Sequence, residues 1–185
     1  MNQFLIDSLV IALVIQLIFF MFAAIRKTDV VTDLSYGLTF VLIAFWALIK
    51  TNLEMPSILL TAVITIWGVR LAGFLFMRIR KLKIDARFNG IRENFWKFAR
   101  FWLLQGVSVW VIMIAATLFY SKNVNSDSFN SLSYIPLGIA LLGIVVESIA
   151  DQQKFKFKND PANKGHWTDV GLYKYSRHPN YFGEM

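Results

Sequence analysis

The sequence predicts an all-α fold: a polytopic bundle of transmembrane helices with about five complete spans and the start of a sixth. Three observations carry that prediction. First, 56% of the 185 residues are hydrophobic and 17% are charged, whereas a soluble domain is about 45–50% apolar and about 25% charged. Mean hydropathy is accordingly positive, at +0.51. Second, the apolar residues come in long runs, most of them near the ~20 residues that a bilayer core requires. Third, lysine and arginine collect in alternate loops between the runs. With no linker and no internal repeat to divide it, the chain reads as one transmembrane domain over 1–185.

The first run covers residues 4–25 and is apolar apart from Asp7, Ser8 and Gln16; Arg26 and Lys27 close it. It has no basic leader and is long enough to span, so it is expected to be a membrane span and not a cleavable signal. The second, 30–49, opens on Asp33, Ser35 and Tyr36 and ends at Lys50. The third, 56–77, starts with Pro56, which suits a first helical turn. The fourth covers 95–120. The fifth, 135–150, is short unless it runs on through Asp151 towards Lys158, with its charges facing headgroups or a polar cavity. The expectation is that it does. A sixth helix should open at Pro179, whose ring fixes φ and biases His178 away from the α region. About two turns remain before Met185, too few to span. The chain is therefore expected to be a C-terminally incomplete form of the domain.

Loop charge sets the expected orientation. Arg78, Arg80, Lys81, Lys83, Arg87, Arg92, Lys97 and Arg100 follow the third run; Lys154, Lys156, Lys158, Lys164, Lys174 and Arg177 follow the fifth. The loops 50–55 and 121–134 are poor in both residue types. The positive-inside rule then puts the N-terminus outside and the C-terminal stretch in the cytoplasm, where soluble nucleotides are. The net charge of +7 is explained by these loops. No basic stripe with interleaved aromatics points to nucleic acid. There is no cysteine, and His166 and His178 are the two histidines, so neither a disulfide framework nor a metal site is expected. No Gly-rich dinucleotide fingerprint or phosphate loop occurs, so a nucleotide site would have to be built between membrane helices.

Chemistry is densest in GLYKYSRHPNYFGE, residues 171–184. Arg177 and His178 stand at the start of the expected helix, beside backbone N–H groups that suit a phosphate or carboxylate. Asn180 and Glu184 are four apart and share a face. Tyr175 and Tyr181 are placed to stack or to donate; Tyr173 reads as packing. Upstream, Glu147 and Asp151 share a face of the fifth helix. They read either as a pair that orients hydroxyl or amide groups of a ligand or as a solvated helix end paired with Lys154. Arg70 lies about two turns inside the third run. That is roughly 12 Å at 1.5 Å per residue, a long reach for snorkelling, so a buried partner or a phosphate is expected. Gly68 and Gly73 beside it would permit close helix approach. Asp33 and Tyr36 read as a helix cap and an interfacial aromatic, in preference to a proton-donating pair.

SRHPNYFGE preceded by GLYKY resembles the C-terminal signature of steroid 5α-reductase-like membrane proteins, above all the bacterial DUF1295 family. ESIADQQK (147–154), WGVRL (67–71), and DARF (85–88) followed by FWLLQ (101–105) are similar to that family as well. The resemblance runs from about Trp67 to Glu184. It implies a membrane-embedded reductase that uses NADPH to saturate the carbon–carbon double bond of a lipid or steroid-like enone taken from the bilayer. It further implies that Glu147, Asp151 and Lys158 are cofactor contacts, with Arg177 and His178 at phosphate or ribose and Asn180 and Glu184 at the nicotinamide end. The loop holding Asp85, Arg87, Phe88 and Arg92 would be a wall of the site. No match is found for the acid pair with which the steroid reductases activate a carbonyl, so no catalytic residue is assigned. A looser form, RHPxYxGE, is similar to isoprenylcysteine and phospholipid methyltransferases, which makes a SAM-dependent enzyme the alternative. A scaffold or transporter without nucleotide affinity is a second alternative.

Overall fold

A computed structural model describes residues 2–82, 88–128 and 130–185. These residues form α1 (Gln3–Arg26), α2 (Thr32–Ile49), α3 (Met55–Leu82), α4 (Phe95–Ser121), α5 (Tyr134–Asn159) and α6 (Pro179–Glu184), with short 3-10 turns and no strand. Five of the helices are long and apolar enough to cross a membrane. Helix is the form such runs must take, because lipid offers backbone N–H and C=O groups no partner and the helix satisfies them internally. The fifth run continues past Asp151 as expected, and the sixth helix begins at Pro179.

Two units divide the chain, Met1–Phe129 and Asn130–Met185. In the first, α2 packs on α3 and α1 on α4. Small residues set both contacts. A Cβ added to Gly37 would sit 2.8 Å from the Gly68 carbonyl oxygen and 2.8 Å from the Ala72 Cβ. One added to Gly106 would sit 3.2 Å from Gln16 and Leu13. Gly68 thus does what its position suggested. Gly73 does not: it meets nothing within 4 Å, because it points away from the seam. Around these contacts lie an aliphatic and aromatic cluster (Ala12, Phe40, Ile43, Ala44, Val109, Met113) and an aromatic one (Phe20, Ala23, Phe88, Phe98, Trp102).

A buried polar cluster runs through this unit. Gln105 Nε2 donates to Gln16 Oε1 at 2.8 Å, to Ser35 Oγ at 3.1 Å and to the Thr32 carbonyl at 3.1 Å. Gln16 Nε2 donates in turn to Thr39 Oγ1 at 2.9 Å. Three helices are joined where lipid could not solvate the same groups.

The two ends of the unit are tied differently. At one, Arg78 meets Asp33 at 3.2 Å and Arg92 meets the buried Asp29 at 3.0 Å. Asp33 is therefore an ion-pair partner and not the cap; Val31 holds the cap position and makes no side-chain cap bond. Tyr36 packs edge-on against Phe40 at 5.1 Å. Phe88 is buried against Phe101 in the aromatic cluster, while Asp85 and Arg87 lie outside the described residues. At the opposite end, Glu54 accepts from the Ser126 amide at 3.0 Å and from its hydroxyl, and the Met55 amide donates to Ser126 Oγ at 3.1 Å. Those donors hold the Glu54 carboxyl below its usual range. The segments after α1 and α3 thus meet at one end of this bundle, and the loops that hold Glu54 and Ser126, both poor in Lys and Arg, meet at the other.

The second unit is α5 with the chain folded back on it. Asn130 and Ser133 form a capping box before α5. Asp160 caps a 3-10 turn over Pro161–Asn163, and a second such turn, Gly171–Lys174, leads to α6. Ile135, Ile139, Leu142 and Val145 of α5 are exposed, as expected of a span whose apolar solvent is lipid.

Candidate functional site

The site is built from one stripe of α5. Glu147, Asp151 and Lys158 stand at i, i+4 and i+11. At about 100° per residue these positions stay within roughly 40° of one another. Glu147 is 3% exposed and Asp151 half-buried. A buried carboxylate on a membrane-length helix is costly unless polar groups meet it.

What meets this stripe is the chain that follows α5. Helix α6 docks so closely that neither partner can carry a side chain at the contact. A Cβ on Gly143 would lie 2.4 Å from the Gly183 carbonyl oxygen. One on Gly183 would lie 2.6 Å from the Gly143 oxygen and 2.7 Å from the Glu147 nitrogen. Gly183 therefore rests on the backbone of Glu147. The preceding turn is pinned separately. Gly171 takes a φ of 58°, in the left-handed region that glycine enters at little cost, and its flat backbone abuts Gln153, whose Oε1 accepts from the Leu172 amide at 2.8 Å.

Between these two anchors sits Tyr173. It is buried, and its hydroxyl donates to Asn180 Oδ1 at 3.3 Å. Burial pushes its phenol up to about 12, reinforced by the negative charge of Asp151. The Tyr181 ring stacks on His178, with centroids 5.2 Å apart and planes 20° from parallel. Glu147 thus lies under Gly183, Asp151 is near enough to act on Tyr173, and Tyr173 carries the contact on to Asn180. Together they offer acceptors, donors and a flat aromatic face, the groups that a nucleotide's ribose, amide and phosphate require.

The other expected residues are placed differently. Tyr175 is 89% exposed, and Arg177 and Glu184 are also exposed. Lys158 donates to the His166 carbonyl at 2.5 Å, about 10 Å along α5 from Asp151 at 1.5 Å per residue. Near it Phe157, Asn163, His166, Trp167 and Asp169 line a groove of ≈ 200 Å³, below the about 300–1,000 Å³ of ordinary ligand pockets. Helix α6 has six residues, too few to build a helix dipole of consequence. Anion binding there falls to the Arg177 and His178 side chains. Arg70 belongs to the first unit, where its guanidinium lies over the Phe74 ring at 5.6 Å. Three participants were not expected at the site: Tyr173, which reads from sequence as packing, and Gln153 and Gly143. The two glycines at the α5–α6 contact are visible in the sequence, but nothing in their spacing says that they meet.

Comparison with known proteins gives one family. Its sequence model, described as "Protein of unknown function (DUF1295)", matches residues 19–185. No curated protein matches the chain, and neither does any solved structure.

Proposed function

The chain belongs to the DUF1295 family, and from that premise we propose that it is a membrane-embedded, NADPH-dependent reductase of enone double bonds in lipid or steroid-like substrates. One observation supports this most: the signature stretch folds onto the carboxylate-bearing stripe of α5, so that Tyr173, hydrogen-bonded to Asn180, lies within electrostatic reach of Asp151 and α6 seats against Glu147. A soluble nucleotide and a bilayer-borne acceptor would meet at such a place, at the end of a membrane-length helix.

The residues present fit the cofactor's chemistry. Glu147 and Asp151 would accept from ribose hydroxyls or a carboxamide NH₂. Arg177 and His178 would hold phosphate, with Lys158 further along the same stripe. Tyr181, backed by His178, would offer a face for a flat ring; Asn180 would meet the nicotinamide end, with Tyr175 and Glu184 at its rim. Bound NADPH would supply hydride to the β-carbon of the enone, leaving NADP⁺, while a proton reaches the α-carbon. The apolar surface of the spans would keep that exchange away from water. The orientation follows from loop charge: N-terminus outside, signature stretch cytoplasmic.

The test is a turnover assay on the chain in lipid nanodiscs. NADPH and a panel of steroid-like and prenyl enones should give products heavier by two hydrogens, with one deuterium retained from labelled NADPH. Methyl transfer from SAM with no NADPH-dependent reduction would replace the proposal with the methyltransferase reading. Absence of both activities and of both affinities would leave the scaffold.

A further inference from the structure

We propose that Tyr173 is a positioning residue: it turns the Asn180 side-chain amide so that the oxygen faces inward and the NH₂ outward, and the site reads a hydrogen-bond acceptor on its ligand. This rests on the reading of residues 171–184 as a nucleotide site. A side-chain amide has two near-isosteric orientations that exchange a donor for an acceptor. The neighbour that meets one end of the amide chooses between them. Tyr173 is that neighbour: a phenol can donate or accept, and here it faces the amide oxygen and donates. It is buried, and its hydroxyl donates to Asn180 Oδ1 at 3.3 Å. The phenol keeps its proton across any physiological pH, because burial and the nearby Asp151 charge oppose phenolate formation.

Both partners are held from outside the pair. Gln153 fixes the turn that carries Tyr173 through the Leu172 amide. The Gly143–Gly183 contact and the buried Pro179 fix the helix that carries Asn180. Among the described residues the Asn180 side chain makes no other hydrogen bond. With its oxygen committed, the NH₂ is what it offers to a ligand. The matching group is an oxygen acceptor, be it a carboxamide, ribose or phosphate oxygen.

The experiment uses the whole chain in nanodiscs with NADPH as the probe. Tyr173→Phe keeps the ring and removes the donor. It should weaken NADPH binding about 3–10-fold, the span of one hydrogen bond. Asn180→Ala and Asn180→Asp should each cost at least as much, because neither presents an NH₂. The double variant Tyr173→Phe/Asn180→Ala should bind within about twofold of Asn180→Ala alone, since Tyr173 acts through Asn180. Losses that multiply in the double variant, or an Asn180→Asp that binds as wild type, would overturn the proposal.

A second arm needs no ligand. In protein labelled with ¹⁵N-asparagine, the Asn180 NH₂ pair is identified by its loss in Asn180→Ala. In Tyr173→Phe that pair should broaden by averaging of the two orientations, while the α6 backbone amides keep their exchange protection. An unchanged pair, or α6 protection that falls with it, would show Tyr173 to be packing alone and end the proposal. If wild type takes up no NADPH, the nucleotide reading fails, and the amide arm alone decides whether Tyr173 sets the orientation.

Discussion

Asn180 is the residue on which the site turns. It lies in the first turn of α6, accepts from Tyr173 and leaves its NH₂ for a ligand. Glu147, buried under Gly183, is its counterpart on α5. Glu147→Ala and Asn180→Ala should each lower NADPH affinity at least about tenfold if each removes a charge-assisted or neutral hydrogen bond to cofactor; dissociation constants within about twofold of wild type would exclude that role. Tyr173 carries a prediction of its own. Its phenol rises from the ordinary 10.0 to about 12 on folding. The folded state thus binds the proton more tightly than the unfolded chain. The resulting stabilisation is complete below about pH 10 and is lost as pH climbs through 12. The tyrosinate absorbance of wild type minus that of Tyr173→Phe should rise with a midpoint near 12. A midpoint near 10 would mean that the hydroxyl is solvated. Sequence made Glu147, Asp151, Asn180 and His178 visible as groups able to do chemistry. It did not make Tyr173 visible, because a tyrosine's role is set by which side chain its hydroxyl reaches, and that depends on how the chain turns between Gln153 and Pro179.

At the scale of helices, close contacts through glycine do the positioning. Gly143 and Gly183 bring α6 onto α5, and Gly37 and Gly68 bring α2 onto α3. Gly143→Ala should push α6 away from Glu147, because the added methyl would stand 2.4 Å from a backbone oxygen. Overpacking of this kind costs about 1–3 kcal/mol. The expected outcome is fast amide exchange in 179–184 with the α5 amides still protected; protection of α6 at the wild-type level would contradict the contact. Helix limits were legible in the sequence almost throughout, because long apolar runs, terminal charges and Pro179 mark them locally. The role of Gly73 and the cap role of Asp33 were misread, for the same physical reason. Both depend on which face of a helix meets a neighbour, and an almost uniformly apolar helix carries no amphipathic stripe to say so. The Gln16–Gln105 bridge escaped for that reason too: each glutamine is one of several polar exceptions in its run until α1 and α4 are placed side by side.

For the molecule as a whole, five membrane-length helices make this a multi-pass membrane protein, and its loops alternate in charge. Because the sequence contains no cysteine, every introduced thiol is unique, and sidedness can be read without a background. Asn163→Cys should react with an impermeant maleimide only from the cytoplasmic side, and Asp127→Cys only from the outside; the reverse pattern would remove the soluble nucleotide from the signature stretch. The central claim, that this stretch and the α5 carboxylates close around a redox nucleotide, is tested most directly by equilibrium titration of the nanodisc-embedded chain with NADPH, with SAM as competitor. The account predicts saturable quenching of NADPH fluorescence, shifted at least about tenfold weaker in Asn180→Ala and untouched by SAM. Saturable binding of SAM with none of NADPH would contradict it.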